Sequence, residues 1–273
     1  KTCFALLWSA SNLTCEAFAQ THDETLETIT VTASRHHRAI SDIPATVWVI
    51  DQETLKQAVR TGADLKNILG RLIPSLDFGD QSRTNFGQNL RGRRALVMID
   101  GVSLNASRQI SRQLDSIDPF NIERIEVLSG ATSLYGAGAA GGIINILTKS
   151  GQGASQFEAK VGLVSGLNDS DDKDTQAALA ANWNTSHAHG RVALAYSETG
   201  AKFDANGERV FSDITQTDTQ FNDTLDAQIS VTYQPTQAQS LSFLGQYYKS
   251  EQDTEYGADL GPNLVGIFGA PER

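Results

Sequence analysis

The chain has 273 residues, 22 basic and 32 acidic, for a formal net charge of −10. That balance argues against a nucleic-acid binder, which carries a basic face, while 40% hydrophobic residues suffice for a core and the length suggests about two domains. Cys3 and Cys15 are the only cysteines, so residues 16–273 hold no thiolate metal site, catalytic cysteine or disulfide framework.

No run of ~18 apolar residues occurs, so no transmembrane helix is expected; a β-barrel needs no such run. The opening Lys1 and the single Met98 predict that the sequence starts inside its reading frame. Residues 3–10 are mostly apolar, and Ala17, Phe18 and Ala19 precede Gln20 as an A-x-A cleavage pattern. Residues 1–19 therefore read as the end of a secretory signal.

A polar, acidic stretch leads to Glu27, Thr28, Ile29, Thr30, Val31, Thr32 and Ala33, which alternate strictly. Ile29, Val31 and Ala33 fall on one face and the three threonines on the other. The pattern predicts a strand without a partner in its neighbourhood, open on both edges and able to add to another protein's sheet. An ordinary first strand of the next domain is the other reading.

From Ile43 to Lys149 helix and strand signals mix. Thr46–Ile50 reads as a strand. Asp51 caps a short helix through Arg60 with Leu55, Ala58 and Val59 on one face, and a second helix runs from about Ala63 to Leu72, before Pro74. Ala95–Ile99 is a buried strand that Asp100 and Gly101 turn into Val102–Leu104. Pro119 suits a one-turn helix, followed by strands at Arg124–Leu128 and Ile143–Thr148.

After Gly153 five segments alternate, carried by Phe157 to Leu163, Ala177 to Trp183, Val192 to Tyr196, Leu225 to Tyr233 and Leu241 to Tyr247. Their connections run long, short, long, short, the layout of an outer-membrane barrel with long external loops and short periplasmic turns. A soluble antiparallel sandwich alternates as well, so the pattern leaves both open. Trp183, Tyr196, Tyr233, Tyr247 and Tyr248 near strand ends suit a membrane aromatic girdle.

Gly136, Gly138 and Gly141 fit G-x-G-x-x-G, but Ile143 to Ile146 continue as a strand, where a dinucleotide site needs a helix to open. Close backbone packing is the better reading. The adjacent His36 and His37 lack a third ligand, so solvated side chains are expected. Arg83, Arg91, Arg93, Arg94, Arg108 and Arg112 cluster among amides and hydroxyls in an otherwise acidic chain. Either they are a solvated surface or they form an anion-binding rim, since arginine forks match carboxylates and other planar oxyanions.

Several of these stretches resemble the TonB-dependent outer-membrane receptors. Glu27 to Ala33 is similar to their TonB box. Leu90-Arg91-Gly92 and Val97 to Val102 resemble the centre of their plug domain, and Ile122 to Ala131, Leu134 to Gly136 and Gly141 to Ile146 resemble its final third. Ser111 to Ile122 and Gln246 to Ser250 are most similar to ferric aerobactin receptors. Ser129 departs from the pattern, because many members carry arginine there, and this puts a plug–barrel charge contact at that position in doubt.

The resemblance implies an α+β plug domain followed by the first antiparallel strands of a transmembrane β-barrel, about five of about 22. It divides the chain into a partial signal peptide (1–19), TonB box and linker (20–38), plug (39–153) and truncated barrel (154–273). It further implies a transporter rather than an enzyme, placed in the bacterial outer membrane and in contact with its lipid, that takes up a ferric siderophore. Iron is carried as the siderophore complex, with no iron ligand from the protein. TonB, driven from the inner membrane, would pull on residues 27–33. Arg83 and Arg112, with Arg93, Arg94 and Arg108 as weaker candidates, would bind the anionic cargo through charge-assisted hydrogen bonds. Another cargo (a different siderophore, haem or cobalamin) and a soluble periplasmic binding module are the alternatives.

Overall fold

The computed structural model describes residues 30–31, 38–39, 46–60, 64–79, 85, 87–104, 114, 116–130, 138–210, 219–236, 238–252, 257–260 and 266–269. The expected signal segment, both cysteines and His36 and His37 lie outside them. Near the start, β1 (Thr30–Val31) pairs antiparallel with β2 (Arg38–Ala39), Thr30 opposite Ala39 and Val31 opposite Arg38. This corrects the expectation of a strand open on both edges. Extended backbone needs partners for its N–H and C=O groups, and the next extended segment supplies them on one side. A two-residue ladder is a weak one, because even complete isolated hairpins are marginal in water. Glu27, Thr28, Ile29, Thr32 and Ala33 lie outside the described residues.

The plug follows as β3 (Thr46–Ile50), α1 (Gln52–Val59), α2 (Leu65–Leu72), β4 (Ala95–Ile99), β5 (Val102–Ser103), a one-turn 3-10 helix (Pro119–Asn121), β6 (Ile122–Ser129) and β7 (Gly142–Thr148). Its sheet runs β3-β6-β7-β4-β5; β4 and β7 pair in parallel and the other neighbours antiparallel. The expected elements are present, with ends moved by a residue or two. Asp100 (φ 47°) and Gly101 (φ 80°) both take the left-handed region, as a two-residue hairpin requires. Leu55 from α1 and Leu65, Ile68 and Leu69 from α2 pack with Ile125, Val127, Ile144 and Ile146 of the sheet in one buried cluster. Each such side chain contributes about 1.5–3 kcal/mol of burial.

Both helices begin on an aspartate. Asp51 accepts from Thr54 N at 2.7 Å and Asp64 from Asn67 N at 2.9 Å, each satisfying one of the free N–H groups of a first turn. The hydrogen bonds from Thr54 hold the Asp51 carboxyl below the usual carboxylate range. Its folded-state value lies below its unfolded value, so its contribution is present at neutral pH and fades as pH falls through the folded-state value. Asp51→Ala is expected to cost about 1 kcal/mol at pH 7. Urea unfolding at pH 7 and again well into the acid range should show the difference from the unsubstituted chain shrinking with pH.

Of the G-x-G-x-x-G glycines, Gly138 and Gly141 lie among the described residues and open no helix, as expected; β7 starts at Gly142, directly after them. A Cβ on Gly141 would lie 2.4 Å from Leu90 O, and one on Gly142 (φ 148°) 2.3 Å from Leu128 O. Their absent side chains let β7 enter between β4 and β6.

The third body is an antiparallel sheet in the order β12-β11-β10-β9-β8. Its strands are β8 (Gln156–Val164), β9 (Asp174–Asn184), β10 (Ala188–Thr199), β11 (Asn222–Thr236) and β12 (Gln239–Gln252). They are the five alternating segments of the sequence, and their connections keep the long, short, long, short order: 165–173, 185–187, 200–221 and 237–238. A further ladder, β13 (Gly257–Leu260) with β14 (Gly266–Gly269), was not anticipated.

One face of this sheet is apolar and bare. Val161 is 87% exposed, Leu241 71% and Phe157 68%, and Leu163, Leu179 and Phe243 are also exposed. The opposite face buries Ala178, Ala180, Ala193 and Ala195 together with Arg191, Asp226 and Gln228. A water-soluble sandwich places these faces the other way round. Apolar outside and polar inside is the arrangement of a barrel wall in lipid, so the soluble-sandwich alternative does not hold. Trp183 lies across Gly190 on the apolar face, where a Gly190 Cβ would come 2.2 Å from the indole ring.

Candidate functional site

The plug sits on the polar face of the wall, and the seam between them holds two polar clusters. In the first, the Asp226 carboxylate of β11 accepts from Asp118 N at 2.8 Å, Asn121 Nδ2 at 3.1 Å and Gln246 Nε2 at 3.2 Å. Gln246 Nε2 also donates to Ser116 O at 3.0 Å, and Gln176 Nε2 donates to Asp118 at 3.0 Å. Asp118 meanwhile caps the one-turn helix by accepting from Phe120 N. Three wall strands thus grip the turn 116–121. Asp226 is 1% exposed, and a carboxylate taken that far from water is tolerable only with its oxygens supplied with donors.

The second cluster lies where the plug runs into the wall. Glu158 of β8 accepts from Lys149 Nζ at 3.0 Å and from Arg191 Nη1 at 2.8 Å, and Arg191 Nη1 also donates to Asn182 at 2.8 Å. Lys149 Nζ and Arg191 Cζ stand 5.0 and 5.3 Å from the centre of the Phe120 ring. Two cations thus share one carboxylate and one aromatic ring. Burial pulls the Lys149 ammonium below the ordinary lysine range, against the Glu158 carboxylate, which draws it back up. Between the wall and both the plug helices and the turn 116–121 lies a cavity of about 530 Å³, lined by Val59, Asp64, Asn67, Ile117 and Asp118 on the plug side and Gln176, Thr199 and Thr224 on the wall side.

Of the arginines singled out by sequence, Arg83, Arg108 and Arg112 lie outside the described residues. Arg91, Arg93 and Arg94 come together on the exposed turn ahead of β4, where Leu90 and Arg93 bond across it through their backbones. Arg91 takes φ 56° and its Nη1 stands 3.4 Å from Ser129 Oγ. Ser129, where many family members carry arginine, is 4% exposed and meets this plug arginine, so the described contact at that position lies within the plug. Sequence reasoning did not single out Glu158, Arg191 or Asp226. The signal was present: all three fall on the polar side of alternating strands, where a barrel reading makes every charge either lumenal or seated on the plug.

An α+β domain seated on the polar face of a sheet whose other face is apolar and bare defines a plugged outer-membrane β-barrel. Residues 39–143 match the TonB-dependent Receptor Plug Domain. The ferric aerobactin receptor of Klebsiella pneumoniae is 46% identical over 93% of this chain and 34% of its own length. The rhizobactin receptor of Rhizobium meliloti is 47% identical over 89% of this chain and 33% of its own. The chain thus spans about a third of the length of these relatives. Among solved structures, the ferric-catecholate import receptor Fiu of E. coli superposes with a TM-score of 0.58 at 18% identity, covering 81% of this chain and 28% of that one, which is a likeness of fold. Residues 39–143 thus carry the plug domain of TonB-dependent receptors, and the sequence is similar to ferric aerobactin receptors along nearly all its length. Its place is the bacterial outer membrane.

Proposed function

We propose that this chain forms the gating and coupling part of a receptor that takes a ferric siderophore of the aerobactin type across the outer membrane. The observation that carries this reading is the plug seated on an inverted wall, joined to the similarity to the aerobactin and rhizobactin receptors. Iron enters as cargo inside its siderophore. A plugged wall needs an outside source of work to open, and the β-prone stretch 27–33 suits a donor strand for TonB. In the described part, Thr30 and Val31 keep one strand edge for such a partner. The apolar outer face meets lipid. Arg83 and Arg112, with Arg93, Arg94 and Arg108 near them in sequence, supply the charge that an anionic citrate–hydroxamate complex needs at an entrance.

The test is growth of iron-starved cells that carry the full-length receptor and a single iron source. Ferric aerobactin is expected to support growth and haem is not. Arg83→Ala combined with Arg112→Ala is expected to lower affinity for ferric aerobactin at least about tenfold, because two charge-assisted contacts are lost. Growth on haem alone would overturn the cargo, and unchanged affinity in the double variant would overturn the arginine rim.

A further inference from the structure

The segment between Leu76 and Leu90 leaves the plug core and returns to it through a closed neck. Leu76 and Leu90 are buried and bridge antiparallel. Beside them Arg91 N donates to Ser75 O at 2.7 Å. One step further out the two limbs are tied twice. Asp77 N donates to Asn89 O at 2.9 Å, and Asn89 N donates to the Asp77 carboxylate at 3.0 Å. The Gln88 side chain then fastens the neck to α2. Its Nε2 donates to Asp77 O at 2.8 Å and to Lys66 O at 2.9 Å, so one amide holds both the outgoing limb and the helix.

Two glycines let the outgoing limb lie this close to α2. A Cβ on Gly70 would meet Phe78 Cα at 3.0 Å and Asp77 O at 3.1 Å, and one on Gly79 would meet Lys66 Cγ at 2.7 Å. On the return limb, Gln88 N donates to Asn85 O at 3.1 Å and Asn89 Nδ2 donates to Gly87 O at 2.7 Å. Between Gly79 and Asn85 the sequence carries Arg83. A loop set on a rigid base presents its side chains with less freedom left to lose on binding.

We infer that Asp77 and Gln88 are positioning residues for cargo binding: they clamp the neck of the segment that carries Arg83 onto α2, and they act on affinity through that arginine. The inference rests on the reading of Arg83 as a cargo contact, and it adds which residues hold that contact in place.

The charge of Asp77 gives the test its sign. A carboxylate near an anionic cargo repels it, so loss of the charge alone strengthens binding. Loss of the clamp weakens it. Binding of ferric aerobactin carrying radioactive iron to the full-length receptor in detergent micelles separates the two. Asp77→Ala is expected to weaken affinity about fivefold, the scale of ordering one or two more side chains on binding. Asp77→Asn keeps an acceptor oxygen for Asn89 N, and its affinity is expected to equal or exceed that of the unsubstituted receptor. Gln88→Ala, which changes no charge, is expected to weaken affinity as Asp77→Ala does. With Arg83→Ala already present, neither alanine variant is expected to cause further loss, because the clamp then has nothing to position. Unchanged or tighter binding in Asp77→Ala and Gln88→Ala would overturn the clamp, as would an Asp77→Asn variant as weak as Asp77→Ala. A loss of equal size with and without Arg83 would also overturn it, since general loosening of the plug acts the same way in both backgrounds. Full affinity in Arg83→Ala alone would instead sink the reading of Arg83 as a cargo contact, and the clamp's role with it.

Discussion

Val31→Pro is expected to abolish siderophore uptake and leave siderophore binding unchanged. The reason lies in the backbone. A strand that joins a partner's sheet contributes N–H and C=O groups, and proline removes the N–H while fixing φ. Val31 pairs with Arg38 in the small ladder, so the substitution disturbs that contact as well. Arg38→Pro separates the two effects. It disrupts the same two-residue ladder and leaves the 27–33 segment intact, and uptake is expected to persist. Binding and uptake measured on whole cells for both variants decide the matter. Normal uptake in Val31→Pro would remove the coupling role of residues 27–33, and equal loss in Arg38→Pro would shift that role to the hairpin.

Glu158→Ala carries the largest expected effect on stability. It takes away the one carboxylate that receives both Lys149 and Arg191, and Arg191 is only 1% exposed. Two neighbouring cations would be left against the Phe120 ring without the carboxylate they share, and among the described residues no other carboxylate pairs with them. Removing one partner of a buried ion pair typically costs about 3–5 kcal/mol, and the 25% exposure of the Glu158 side chain puts the expectation at the lower end, about 3 kcal/mol. Glu158→Gln keeps an acceptor oxygen and is expected to fall between. Urea unfolding of the full-length receptor in detergent micelles, followed by tryptophan fluorescence, measures the difference. A loss below about 1 kcal/mol would mean that water already screens the cluster.

Much of this architecture was legible because its signals are local. The aspartates at 51 and 64 start their helices, the Asp100–Gly101 pair makes its turn, and period-two alternation marks every wall strand. Which face of the wall looks at lipid was not legible from alternation, because sandwich and barrel strands alternate alike. The choice shows only when Val161 and Phe157 stand bare while Arg191 and Asp226 are covered. The seam residues were hidden for a related reason. The contact of Asp226 with Asp118 joins positions 108 residues apart, and nothing in either neighbourhood announces the other. The pairing of Thr30 and Val31 with Arg38 and Ala39 was missed because a segment rich in β-formers was treated as having no neighbour, although a second extended stretch follows within the same linker.

The order of pairing in the plug sheet also bears on how the protein is made. Thr46 of β3 waits for Ser129 of β6, and Ala95 of β4 waits for Gly142 of β7. A chain threaded N-terminus first into the periplasm therefore exposes β3, α1 and α2 long before their partners arrive. Sheets closed by such distant contacts form slowly, and their unpaired edges invite aggregation in the interval. The plug can complete its sheet only once Thr148 has crossed the inner membrane, so its assembly falls together with that of the wall it will occlude.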